Sequence, residues 1–150
     1  MATRISANKR LKMLGRKSEH SFLRLPHYLV HSEEWRKLSG NAIKFLIELA
    51  SGYNGRNNGD LSLTRRQALG RGWRSGQTRD SAAKEALDAG FALLTRQGGR
   101  HVCSLYAVTW EAIDDVGKGV MYAPEVRPSR QWEKNRPEKQ ADVAQKLGHG

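Results

Sequence analysis

TRRQALGRGWRSGQTRDSAAKEALDAGF, residues 64–91, carries two helix signals separated by a tight turn. Thr64 is placed to cap a short helix over Arg65 to Leu69, its hydroxyl accepting from the first free backbone N–H groups. Gly70 and Gly72 end that helix, because glycine enters the left-handed conformation of a C-terminal stop without a Cβ clash. Ser75 then caps a second helix over Gly76 to Ala89, and Gly90 stops it.

On the second helix Ala82, Ala83, Ala86 and Leu87 repeat at the spacing of one apolar face, and Gln77, Arg79, Asp80 and Lys84 are assigned to the opposite one. Small inward residues let two helices approach closely. Ser75, Gln77, Thr78 and Arg79 occupy the first turns, where a helix lying in a DNA major groove presents side chains to base edges. An ordinary helical hairpin with a solvated outer face has the same periodicity. Charge separates the two readings. Arg65, Arg66, Arg71, Arg74 and Arg79 fall in a window that contains no acid, a bias that solubility does not require.

The same imbalance runs through the chain, whose 150 residues carry a formal net charge of +11. Residues 1–18 contain Arg4, Lys9, Arg10, Lys12, Arg16 and Lys17 and no acid. Residues 19–110 hold thirteen basic and eight acidic residues, and residues 111–150 hold seven of each. The excess lies on the first segment and the body, so a polyanion is the expected partner. Residues 1–19 offer little apolar surface to offset the entropy of ordering and read as a flexible basic arm that tracks phosphates or enters a minor groove.

Several function classes find no support. Cys103 is the single cysteine, which excludes an intramolecular disulfide framework and a thiolate zinc cluster. It reads as a small buried hydrophobe. His27 and His31 are four residues apart but have no evident third metal ligand. No apolar run approaches the ~18 residues of a membrane span, and no secretory h-region is present. The acid-free opening segment also suits a mitochondrial presequence, although a nucleic-acid arm accounts for it as well; the cytoplasm is the expected location. No catalytic triad, HExxH, phosphate-loop or dinucleotide glycine motif occurs, and Asp114 and Asp115 read as solvated acids. Neither an enzymatic activity nor a cofactor is expected.

Along the chain, Ser21 to Leu25 (SFLRL) alternates like a short strand with Phe22 and Leu25 as its candidate inward residues. Pro26 to Val30 reads as a helical turn, and Ser32 opens another with Glu33, Glu34 and Trp35. Ser39 caps the main core helix, Gly40 to Ser51, with Ala42, Ile43, Phe45, Leu46, Ile47, Leu49 and Ala50 apolar. Tyr53 to Asp60 (YNGRNNGD) is dense in turn signals and is expected to be an exposed loop, followed by a short strand at Leu61 to Leu63. After Gly90, Phe91 to Thr95 and His101 to Trp110 read as a hairpin turning at Gly98-Gly99, with Arg96, Arg100 and His101 at its tip. Glu111 to Val116 reads as one more helical turn.

The resulting order is helix, short strand, helix, turn, helix, two-stranded wing. The expected fold class is mainly α with a small β-hairpin wing, a winged helix–turn–helix. The domain plan is a basic arm at 1–19, a DNA-binding body at 20–113, and a linker with a largely disordered tail at 114–150. A weak stripe of Ala141, Ala144 and Leu147 gives the tail a candidate short helix and protein-partner segment.

LPHYLVHSEEWRKLSGNAIKFLIELASGYNGRNNGDLSLTRRQA, residues 25–68, resembles the N-terminal DNA-binding domain of replication-initiation proteins and related small regulators of bacteriophages and mobile elements. A Leu-Pro opening, a Trp before the first long helix, a YNG–NNG loop and a Thr- or Ser-capped second helix carry the resemblance, which covers Phe22 to Trp110. It implies double-stranded DNA binding through the second helix and the wing, in replication initiation or transcription control. Such domains usually have a larger apolar residue where this chain has Ala83 or Ala86, and Trp73 is expected to fill the aliphatic core position of the turn. The expected DNA-facing set is Arg65, Arg66, Arg74, Ser75, Gln77, Thr78, Arg79, Lys84, Arg96, Arg100 and His101. Two other classes compete: an RNA-binding or ribosome-associated basic protein, and a winged-helix protein-interaction module. Helix–turn–helix spacing and the lack of aromatic pairs for stacking unpaired bases argue against the first; Arg74 and Arg79 argue against the second.

Overall fold

The computed structural model describes residues 20–117 and 119–134. The basic arm and the Ala141–Leu147 stripe therefore lie outside the described residues. Among the described residues six helices and two strands follow in the order α1 (His27–Val30), α2 (Glu33–Arg36), α3 (Gly40–Ala50), α4 (Arg65–Gly70), α5 (Gly76–Asp88), β1 (Ala92–Arg96), β2 (Leu105–Val108) and α6 (Gln131–Lys134). The fold is mainly helical with one small antiparallel sheet.

Helix starts follow local hydrogen-bond chemistry. Ser32 Oγ accepts from Trp35 N at 3.2 Å, Ser39 Oγ from Ala42 N at 3.1 Å, and Ser75 Oγ from Thr78 N at 3.1 Å. Thr64 Oγ1 accepts from Gln67 N at 3.1 Å while Gln67 Oε1 accepts from Thr64 N at 2.9 Å, a reciprocal capping box. The turn after α4 closes through Gly72 at φ +86°, and Trp73 N returns to Ala68 O at 3.0 Å.

The core lies where α3 packs against α5. Phe45, Leu46 and Leu49 of α3 are fully buried, and Ala82, Ala83 and Ala86 of α5 leave room for them. Trp35 meets Phe91 and Trp110 edge-on at 5.4 and 6.2 Å. Trp73 is buried as expected, its indole Nε1 donating to Glu48 Oε2 at 2.6 Å under the Lys44 ammonium. In the sheet Ala92 pairs with Val108 and Leu94 with Tyr106, with an irregularity before Arg96↔Leu105.

Six sequence expectations are revised. The SFLRL segment makes no strand: Phe22 is 80% exposed, while Leu23 and Leu25 pack on the core and Arg24 reaches Glu111 at 3.0 Å. Leu61 forms a single bridge to Tyr106, and no strand continues to Leu63, whose carbonyl is taken by the Arg79 guanidinium at 2.6 Å. On α3, Ile47 turns outward. The YNGRNNGD loop is exposed only in its first half, because Asn58 is fully buried. Its amide donates to the Val108, Glu111 and Ala112 carbonyls at 3.0 Å each and accepts from Val108 N at 2.9 Å. Residues 111–116 make no helical turn, since their backbone serves this amide and Asp114 N donates to Asn58 O at 2.9 Å.

The sixth revision concerns the tail. Residues expected to begin a linker at 114 instead remain attached to the body through Lys134. Met121 N donates to Thr95 O at 2.7 Å, Glu125 N to Ile113 O at 2.8 Å and Arg130 N to Thr109 O at 2.9 Å. Trp132 is fully buried, stacked on Phe91 at 5.1 Å with Tyr28 at 6.3 Å. Gly90 permits this docking: a Cβ there would lie 2.8 Å from Trp132 N, and the residue adopts φ +84°. No helix among the described residues is long and apolar enough to cross a membrane.

Trp132→Ala should lower unfolding stability by about 3–5 kcal/mol, the usual loss for truncating a fully buried large aromatic. Denaturant melting of wild type and variant measures this; a loss below about 1 kcal/mol would mean that the segment contributes little to the fold.

Candidate nucleic-acid interface

The α4–turn–α5 unit and the hairpin tip bound one groove. Thr64, Arg65, Arg79 and Asp80 line one wall, and Gln97, Gly99 and Ser104 line the other, around a volume of about 510 Å³. A larger cavity of about 660 Å³, between Leu23, Tyr53 and Trp110, is lined by none of the residues expected to bind DNA.

Along α5 the exposed positions are Gln77, Ser81, Lys84 and Asp88, spaced four, three and four residues apart, which is one face of a helix. Lys84 Nζ lies 2.6 Å from Asp88 Oδ2 on that face. Ser75 and Thr78 are half-buried and share a hydroxyl contact of 2.9 Å at the helix start, where Ser75 Oγ also accepts from Thr78 N.

Arg79 departs from expectation. Its side chain is only 12% exposed, and it faces the body rather than a ligand. Nε donates to Leu63 O at 2.6 Å, Nη2 to Tyr106 Oη at 3.1 Å and Nη1 to Asp80 Oδ1 at 3.1 Å. The guanidinium lies 5.5 and 5.7 Å from the Phe45 and Tyr106 ring centroids. The helical spacing itself gives the reason. Arg79 precedes Ala82, Ala83 and Ala86 by three, four and seven residues, which puts it on the alanine face rather than opposite.

Arg65 sits at the mouth of the groove, 65% exposed, with its Nε donating to Asp80 Oδ2 at 3.0 Å and its Nη2 to the same oxygen. Its aliphatic stem crosses the start of α5, where a Cβ on Gly76 would lie 2.9 Å from Arg65 Cδ. Hydrogen bonding from Arg65, against the opposing effect of burial and with further help from Arg79, holds the Asp80 carboxyl below its ordinary range. The same hydrogen bond raises the Arg65 guanidinium.

Arg96, expected at the hairpin tip, is half-buried and donates through Nη2 to Cys103 O at 3.0 Å, bracing the hairpin from within. Cys103 is correspondingly half-buried rather than a core residue. The second strand starts at Leu105, four residues later than expected, so Gln97 to Ser104 forms the connecting loop. Gly99 N donates to Val102 O and Gly98 N to Ser104 Oγ, each at 2.9 Å. This loop exposes Arg100, His101 and Val102.

The arginines thus divide into two sets. Arg65, Arg79 and Arg96 are committed to partners within the chain. Arg66, Arg71, Arg74 and Arg100 are exposed and make no ion pair among the described residues. Arg71 is absent from the expected DNA-facing set, yet its place in the acid-free window was signal enough to include it. The chain matches no protein-family model, no curated protein and no solved structure.

The depressed Asp80 carboxyl has a definite consequence for stability. A folded-state value below the unfolded one contributes stability that is present above the unfolded value and is lost as pH falls through the folded value. Asp80→Asn should therefore flatten the acid limb of the stability–pH curve below about pH 4. Denaturant midpoints measured across that range check this, and parallel limbs for both proteins would contradict it.

Proposed function

We propose that this protein binds double-stranded DNA as a winged helix–turn–helix module, in the replication initiation or transcription control of a bacteriophage or mobile element. In this reading α5 enters the major groove, α4 lies across its start, and the Gln97–Ser104 loop is the wing. The observation that carries it is the set of exposed, unpaired guanidiniums at Arg66, Arg71, Arg74 and Arg100, beside the exposed α5 face of Gln77, Ser81 and Lys84. Cations without carboxylate partners are free to replace counterions on phosphates.

Reading and gripping fall to different residues. Gln77 is the exposed amide in the first turn of α5 and is suited to two-pronged pairing with adenine. Arg66, Arg71 and Arg74 are suited to phosphates beside it, and Arg100 and His101 to the backbone or minor groove under the wing. Arg79, 12% exposed, supports the helix from beneath and is withdrawn from the reading set. The role in replication or transcription rests on the sequence resemblance alone.

Selection from random duplexes, followed by competition binding to the preferred and a scrambled sequence, tests this reading. Gln77→Ala should cost about 1–3 kcal/mol on the preferred site and far less on scrambled DNA. Arg74→Ala should weaken both alike and reduce the slope of log K against log salt by about 0.9. Equal losses on both duplexes for Gln77→Ala, or a salt-independent affinity, would contradict the assignment.

A further inference from the structure

We propose that Asp80 is a specificity-determining residue, which withholds Arg65 from DNA phosphate until the rest of the interface is engaged. This rests on the duplex-binding reading and adds to it a device against indiscriminate binding.

Among the residues that line the groove, Asp80 is the one carboxylate. An acid at a surface meant for a polyanion opposes binding, so its placement calls for a gain elsewhere. Both of its oxygens are engaged: Oδ2 accepts from Arg65, and Oδ1 accepts from Arg79 at 3.1 Å. The two partners differ in freedom. Arg79 is anchored on Leu63 O and Tyr106 Oη, with its side chain only 12% exposed, so it holds Asp80 in place. Arg65 is 65% exposed and can leave. The chain Arg79–Asp80–Arg65 therefore has one fixed end and one free end.

The closed position is shaped as well as charged. The Arg65 stem lies in the space that Gly76 leaves over the start of α5, where a Cβ would come within 2.9 Å of Cδ. An ion pair this exposed contributes little net energy, so a well-placed phosphate can take Arg65 from Asp80. On a random duplex the protein moves along the backbone and no single phosphate remains beside Arg65. On a preferred site the base contacts fix the register, and one phosphate stays there. Arg65 then adds a contact on the preferred site that Asp80 denies it elsewhere.

Three variants of the full chain, Asp80→Asn, Arg65→Gln and the double variant, test this by anisotropy titration on preferred and scrambled duplexes over a salt series. At a slope of about 0.9 per phosphate contact, one added contact corresponds to about eightfold tighter binding at 0.1 M salt. D80N should gain part of that factor on scrambled DNA, with a steeper salt slope, and should gain less on the preferred site, so that discrimination narrows. In the Arg65→Gln background the gain should vanish. Gly76→Ala, which crowds Arg65 while leaving Asp80 intact, should shift scrambled binding in the same direction, and it decides the matter if D80N fails to fold. Wild-type salt dependence in folded D80N would overturn the inference while leaving duplex binding intact. A gain undiminished without Arg65 would do so too, by showing that Asp80 only repels. Absence of duplex binding by the wild type would remove the duplex reading and this inference together.

Discussion

One guanidinium ties the helix pair to the rest of the molecule. Arg79 enters from α5, takes the Leu63 carbonyl in the segment before α4, meets the Tyr106 hydroxyl on β2 and rests on Phe45 of α3. Stripping water from an arginine is costly unless its N–H groups find acceptors. Here the carbonyl, the phenol and the Asp80 carboxylate provide them, so the burial fixes α5 against three other elements at once. The alanines beside it follow from the same constraint. Larger residues at 82, 83 and 86 would lift α5 off α3 and pull the guanidinium from its partners.

How much was legible depended on the range of the interaction. The caps at Ser32, Ser39, Thr64 and Ser75 are set within three residues and were read correctly, as were the core helix, the buried Trp73 and the existence of the hairpin. Arg79 was misplaced because its charge outweighed its spacing, although the 3.6-residue period already set it among the alanines. Asn58 and Trp132 act at long range. An Asn in a turn-rich loop is indistinguishable from its neighbours until the Val108, Glu111 and Ala112 carbonyls come to it. A lone Trp among prolines has no periodicity to declare that Phe91 and Tyr28 will sandwich it.

The candidate site shows the same division. Charge composition marked a cluster of arginines, but only the fold separates the guanidiniums that hold the protein together from those left exposed. Arg96 braces its hairpin, Arg79 supports its helix, and Arg65 is tethered to Asp80. The unpaired set, Arg66, Arg71, Arg74 and Arg100, spans α4, the turn and the loop beyond β1, around the exposed face of α5. A scaffold that engages some arginines on internal acceptors can present the others from a rigid base.

Backbone amide shift mapping tests the central claim most directly, because it locates the bound surface without altering the protein. Titration with a short random-sequence duplex at low salt should perturb amides at Arg66, from Arg71 to Lys84 and from Gly98 to Val102. Those around Asn58, Tyr28 and Trp132 should stay unshifted. Perturbations confined to the Phe22, Tyr28 and Val126 side, or none at any concentration, would contradict the account.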